Sequence, residues 1–165
     1  MSAIKLGAWG LGRIGSIHIE NFAPLKDLYE VAAVCDVEQP KVDQRAAQFG
    51  CAGYVNPDDL LADPNVELVI IATRSLTHVA NALQALAAGK IVLLEKPIAM
   101  CYREIEQLRQ ADRNYPGKLF FLHNHRFEPA MEHIYRITRS GILGDIIEVK
   151  LCRNHGFARR ADWQA

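Results

Sequence analysis

The chain has 165 residues, half of them hydrophobic and 23% charged, with nineteen Lys and Arg set against nineteen Asp and Glu. That length holds one globular domain, or one domain and the start of a second, and the composition excludes a disordered or fibrous chain. A formal net charge of zero leaves no overall field to attract nucleic acid or a membrane surface, so any anion site has to be local.

Apolar runs and helical patterns alternate from the start. Residues 3–9 read as a first strand ending at Gly10, and residues 13–24 as a helix. Residues 30–36 are β-rich; residues 40–49 are helical and stop at Gly50; residues 51–55 make a short third strand. Asn56-Pro57-Asp58-Asp59 starts a helix, with a capping Asn and a Pro at the first helical position. Leu68-Val69-Ile70-Ile71-Ala72 is the continuous apolar run of a strand covered on both faces. Residues 76–88 form an Ala/Leu-rich helix closed by Gly89, and residues 91–94 a further buried strand that runs into Glu95-Lys96-Pro97. An amphipathic helix over 102–114 stops at Pro116-Gly117, and a strand over 118–122 and a helix over 129–139 follow. Residues 146–152 alternate polar and apolar and are expected to form a strand of a different sheet, with an open apolar edge that favours association. This order predicts an α/β fold, a Rossmann-type doubly wound parallel sheet over residues 1–123, followed over 124–165 by the start of a truncated α+β C-terminal domain.

Cys35, Cys51, Cys101 and Cys152 include no Cys-x-x-Cys pair, so neither a zinc site nor a redox dithiol is expected, and Cys35 reads as a core thiol. The first ten residues lack the basic start and apolar run of a signal peptide, and no apolar stretch reaches the roughly 18 residues of a membrane span. The expected location is the cytoplasm, without a membrane or nucleic-acid partner.

Gly10-Leu11-Gly12-Arg13-Ile14-Gly15 fits G-x-G-x-x-G between the first strand and the first helix. Gly10 permits a tight turn, Gly12 lets backbone approach a pyrophosphate, Gly15 allows close helix–strand packing, and the helix N-terminus offers N–H groups to phosphate. Gly10, Gly12, Arg13, Ile14 and Gly15 are therefore candidate cofactor-binding residues. Asp36, 21 positions after Gly15 at the end of the second strand, is placed to accept hydrogen bonds from an adenosine ribose. Its carboxylate would repel a 2′-phosphate, which favours NAD over NADP, while Lys41 and Arg45 lie close enough in sequence to keep NADP open.

Ligands of open parallel sheets bind beyond the carboxyl ends of the strands. Thr73-Arg74-Ser75, Glu95-Lys96-Pro97 and Asn124-His125-Arg126 occupy such ends together with Gly10 and Asp36. Lys96 at the mouth of the site has the chemistry to polarise a substrate oxygen; an exposed lysine without special role is the alternative. His78, at a helix start, either contacts cofactor or caps that helix. His123 and His125 form H-x-H at a strand end, without the further ligands that a metal site needs.

The glycine motif, Cys35-Asp36, Ala72-Thr73 with His78, Ala88-Gly89-Lys90 leading into Glu95-Lys96-Pro97, and Asn124-His125-Arg126-Phe127-Glu128-Pro129 together resemble the Gfo/Idh/MocA family, which includes glucose–fructose oxidoreductase and inositol dehydrogenase. Gly144-Asp145-Ile146 and Arg159-Arg160-Ala161-Asp162-Trp163-Gln164 extend the likeness over essentially the whole chain. The resemblance implies that Lys96 is a catalytic residue touching substrate and nicotinamide. It implies that Glu95 and Pro97 shape that turn, with Pro97 cis, and that Thr73, Ser75 and His78 lie along the cofactor. Arg126 would sit near the nicotinamide or the domain junction. It further implies hydride transfer between NAD(P) and a carbinol carbon of a sugar, polyol or derivative, in a homo-oligomer.

Two departures stand out. Arg74-Ser75 replaces the family's usual Pro-Asn. Members also continue into a mostly antiparallel sheet and carry a catalytic Asp and His after the stretch matching Trp163, and these 165 residues hold no counterpart. A non-catalytic NAD-binding or sensing module is the second reading.

Overall fold

The apolar runs come together in one parallel sheet. The computed structural model describes residues 2–152. Its strands are β1 (Ile4–Trp9), β2 (Tyr29–Cys35), β3 (Ala52–Tyr54), β4 (Leu68–Ile71), β5 (Ile91–Leu94) and β6 (Leu119–Phe121), in the order β3-β2-β1-β4-β5-β6. All five pairings are parallel. The strand order reverses between β1 and β4, the switch point at which doubly wound folds bind ligands.

Helices α1 (Arg13–Phe22), α2 (Gln39–Phe49), α3 (Pro57–Ala62), α4 (His78–Ala87) and α5 (Tyr102–Asn114) make the connections. Alternate strand residues serve opposite layers, as a pleated strand requires. Leu6, Leu68 and Ile70 pack with Phe22, and Ala8 and Val34 with Ile19 and Val42, on the α1/α2 side. Trp9, Val69, Ile71, Val92 and Leu94 face Val79, Ala82, Leu86, Leu108 and Ala111 of α4 and α5. Each Leu, Ile or Val so buried contributes about 1.5–3 kcal/mol. Cys35 lies in this core, its thiol pushed up to about 12 by burial and then by the charges of Asp36 and Asp59, so it is inert as a nucleophile.

Local chemistry sets the helix ends. Asn56 Oδ1 accepts the Asp58 N–H at 3.0 Å to open α3. Gly50 closes α2 at φ 64°. The first helix ends at Phe22, two residues before the expected limit, because Pro24 has no N–H with which to continue the ladder. A 3-10 turn, Ser75–Thr77, precedes α4, so that helix starts at His78 and not at residue 76.

The chain divides into two compact units, Met1–Leu122 and His123–Ala165. In the second, a 3-10 turn (Asn124–Phe127) leads into α6 (Pro129–Arg139), where the Arg139 guanidinium lies 4.4 Å from the centroid of the Tyr135 ring. The strand expected over 146–152 is absent from the described residues. A strand needs a partner for its backbone hydrogen bonds, and no described strand supplies one. His123 and His125 fall in the turn beyond β6, not within the strand, so strand alternation does not align them. The segment Arg159–Gln164 and His155 lie outside the described residues. No helix among the described residues is long and apolar enough to cross a membrane.

Candidate cofactor-binding and catalytic site

Strand register lines up the polar residues. Trp9 sits opposite Cys35 and Ile71, and Ile71 opposite Leu94. One step on, the Gly10 N–H donates to Cys35 O at 2.8 Å, the Ala72 N–H to Trp9 O at 2.9 Å, and the Glu95 N–H to Ile71 O at 3.0 Å. Asp36, Gly10, Ala72 and Glu95 therefore stand in a row along the C-terminal edge of the sheet, with Thr73 and Lys96 immediately beyond.

Backbone packs directly on backbone at the glycine loop. Gly10 has φ +98°, and a Cβ there would meet Ala72 C and O at 2.7 Å. At Gly15 a Cβ would lie 1.8 Å from Gly10 O, so α1 rests on the loop without a side chain between them. Gly12 is different: a Cβ built there meets nothing within 4 Å. It is the N-cap of α1 and carries no side-chain cap, so the first-turn N–H groups, those of Arg13 and Ile14 among them, border open space. Bare amides at a helix N-terminus, beside a position that side chains leave clear, fit a dinucleotide pyrophosphate.

Asp36 buttresses this loop. Its Oδ2 accepts the Leu11 N–H at 2.7 Å and its Oδ1 the Glu38 N–H at 3.1 Å. A carboxylate has about four lone-pair sites, so two N–H donors leave capacity for ribose hydroxyls. An open cleft of about 480 Å³ flanks the loop between α1 and α2, lined by Gly12, Arg13, Ile17, Lys41 and Arg45 among others. The two cations that kept NADP open are engaged: Lys41 Nζ pairs with Glu38 Oε1, and Arg45 with Glu20 at 2.7 Å.

After β4, Thr73 Oγ1 accepts from Asn81 Nδ2 at 2.9 Å and lies 3.1 Å from Thr77 Oγ1. Asn81 and Thr77 carried no signal in the sequence. Ser75 is half-buried in the 3-10 turn and Arg74 is exposed.

His78 is held between two loops. It is 2% exposed, and its ring nitrogens face carbonyl oxygens, Nδ1 that of Pro97 at 2.8 Å and Nε2 that of Thr73 at 3.1 Å. The buried ring thus lies between the loop after β4 and the loop after β5, and whichever nitrogen bears the hydrogen donates to one of the two carbonyls.

The Glu-Lys-Pro turn is held from within. Lys96–Pro97 is a cis peptide bond. Glu95 is buried, with Oε1 3.1 Å from His18 Nε2 and Oε2 accepting the Lys96 N–H. Each carboxylate oxygen has a protein donor and the side chain is buried, so Glu95, expected among the cofactor contacts, holds the turn from within. Lys96 itself is exposed, and among the described residues no hydrogen bond or ion pair holds its ammonium. Arg126 is exposed in the turn of the second unit. Among the described residues no group of three or more His, Cys, Asp or Glu side chains is placed to hold a metal.

Burial raises the Glu95 carboxyl, but the hydrogen bonds from His18 and the Lys96 N–H and the charge of Lys96 outweigh it and leave it below the usual carboxylate value. A depressed folded-state pKa adds stability that is fully present above the unfolded value and is lost as pH falls through the folded one. Glu95→Gln is therefore expected to be less stable than the parent at neutral pH. The gap should narrow in acid, once the parent carboxyl is itself protonated, and urea melts at a series of pH values will check this.

A family model described as "Oxidoreductase family, NAD-binding Rossmann fold" matches residues 4–123. The chain belongs to the Gfo/Idh/MocA oxidoreductase family. Among its relatives, an inositol 2-dehydrogenase of Acidothermus cellulolyticus is 32% identical over 148 residues, an alignment that takes in 86% of this chain and 42% of the relative. A myo-inositol 2-dehydrogenase of Thermotoga maritima is 28% identical over 142 residues, again 86% and 42%. The solved scyllo-inositol dehydrogenase of Lactobacillus casei with bound NAD(H) and scyllo-inositol is 28% identical with a TM-score of 0.81, and the match covers 87% of this chain and 43% of that one. The chain thus spans less than half the length of the family members it matches.

Proposed function

We propose that this chain is the cofactor-binding part of an NAD-dependent dehydrogenase that acts on a CH–OH group of a sugar, polyol or derivative. The observation that carries the reading is the shared sheet edge: the open position at Gly12 follows β1 and the unpaired Lys96 follows β5, at strand ends on the same C-terminal edge with only β4 between them, beside the β1/β4 switch point. The Arg13 and Ile14 N–H groups and the α1 N-terminus hold the pyrophosphate, and Asp36 accepts from the adenosine ribose. NAD(H), when bound, supplies the hydride acceptor or donor. Thr73 and Ser75 line the cofactor. Lys96 Nζ donates a hydrogen bond to the substrate oxygen and stabilises the negative charge that grows there. The second unit, with Arg126, is the beginning of the part that meets substrate and partner subunits, and a cytoplasmic homo-oligomer is the assembly this implies.

NAD is favoured because Asp36 opposes a 2′-phosphate, and because Lys41 and Arg45 are already paired. Binding of NADH is expected to be at least ~10-fold tighter than binding of NADPH, about 1.4 kcal/mol. Asp36→Ser should narrow that ratio, and NADPH binding as tight as NADH binding in the parent would contradict the assignment. The dehydrogenase reading is tested by following NAD reduction with a panel of cyclic and linear polyols, inositols first because relatives are named for them. Substrate-dependent reduction supports it; NADH binding without turnover on any carbinol would favour the non-catalytic module.

A further inference from the structure

Position 18 carries no motif signal, yet His18 is one of the few polar side chains buried in the structure, at 6% exposure, and its partner Glu95 is 7% exposed. The pair spans 77 positions in sequence. A buried carboxylate is tolerated only when it is hydrogen-bonded, and each oxygen of Glu95 has a donor, one from His18 Nε2 and one from the backbone N–H of Lys96. Glu95 thereby links the inner face of α1 to the backbone of the residue beside it.

The helix that bears His18 is the one that begins at the phosphate-binding loop. Gly15 and His18 are three residues apart and both buried, so they share its inner face. Gly15 seats the helix against Gly10, and His18, one turn further on, reaches the end of β5. One rigid element thus contacts both the loop and the lysine turn.

We propose that His18 is a positioning residue for Lys96: through Glu95 it fixes the Lys96 backbone relative to the glycine loop, so that the ammonium stands in a set place when the dinucleotide is bound. The proposal rests on the reading of Lys96 as the residue that contacts substrate. The carboxylate of Glu95 has no proton to give, as its depressed pKa agrees, so His18 Nε2 bears the hydrogen and donates it. An apolar residue at position 18 would fill the space but leave Glu95 Oε1 unmet, and the carboxylate would turn to other donors and release the Lys96 N–H.

The test compares the 165-residue chain with His18→Leu, which keeps bulk and removes the donor, and His18→Gln, whose side-chain amide nitrogen reaches about where Nε2 does. Nitrogen–proton correlation spectra and amide hydrogen exchange are read at Lys96 and, as a control for folding and for the glycine loop, at Leu11. His18→Leu should move the Lys96 amide resonance and speed its exchange at least ~10-fold while Leu11 stays protected, since exchange tracks local opening. His18→Gln should restore Lys96 towards the parent. A Lys96 amide unchanged in His18→Leu, or Leu and Gln variants alike in a folded chain, overturns the proposal. Should His18→Leu fail to fold, long-range nitrogen–proton spectra of the parent decide: a His18 ring protonated at Nε2 supports the proposal, and one protonated only at Nδ1 overturns it. None of these readings depends on turnover. An active Lys96→Met enzyme in which His18 still holds the Lys96 amide would refute the catalytic reading of Lys96 and leave the link from His18 to its backbone standing.

Discussion

Gly15→Ala is expected to abolish NADH binding and to destabilise the fold, whereas Gly12→Ala should abolish binding and leave the fold intact. At Gly15 the added carbon would lie 1.8 Å from Gly10 O and 3.0 Å from Gly10 C. These are backbone atoms of a turn that is itself pinned on Ala72, so nothing can rotate away and α1 has to move bodily. Overpacking of this kind costs about 1–3 kcal/mol, and for a domain of this size each kcal/mol lowers Tm by roughly 2–4 °C. The same shift carries the first-turn amides off the phosphates, and one lost charge-assisted hydrogen bond of about 1.5–3 kcal/mol is already worth ~10- to 100-fold in Kd. At Gly12 the backbone has φ −64°, which any residue adopts, and the new carbon meets nothing. Its only effect is to occupy the space assigned to the pyrophosphate. Thermal melts and NADH titrations of both variants separate the two roles. Equal stability of the two variants would refute the packing argument, and undiminished NADH binding by Gly12→Ala would refute the site.

Lys96→Met is expected to lower turnover by ~10²- to 10³-fold, the usual cost of removing one donor aimed at developing oxygen charge, while NADH affinity stays within a few-fold. Methionine keeps the length and apolar stem of lysine and removes only the ammonium. The backbone restraints on the turn survive the exchange, because they come from Glu95 and from the Pro97 carbonyl and not from the lysine side chain. Turnover in the Lys96→Met protein equal to the parent would remove Lys96 from the chemistry, and a parallel collapse of NADH affinity would recast it as a cofactor anchor.

What the sequence made legible is what backbone geometry encodes locally. The spacing of Gly10, Gly12 and Gly15 states where side chains must be absent, and the structure gives each a different physical reason. Uninterrupted apolar runs such as Leu68–Ile71 mark strands covered on both sides, and Asn56-Pro57 and Gly50 mark helix ends. His18 was illegible because its meaning depends on Glu95, which only the adjacency of β1, β4 and β5 brings near. The sequence leaves His78 a choice between ligand contact and helix cap, and its place between carbonyls of two separate loops can be seen only when both loops are known. The alternation of residues 146–152 misled for a related reason: a periodic pattern states which faces a strand would have, but a strand exists only when another pairs with it. Asp36 shows an intermediate case. Its place at the end of β2 was predictable, while its grip on the Leu11 N–H, which ties the acid to the loop it was expected to stand beside, was not.

The central claim is that the α1 N-terminus and its glycine loop bind a dinucleotide diphosphate. Calorimetric titration of the folded chain with NADH tests it most directly. A saturable, one-to-one heat that is lost in Gly12→Ala is the result expected. No heat at millimolar NADH, from a sample whose circular dichroism and melting show the folded sheet, would contradict the account.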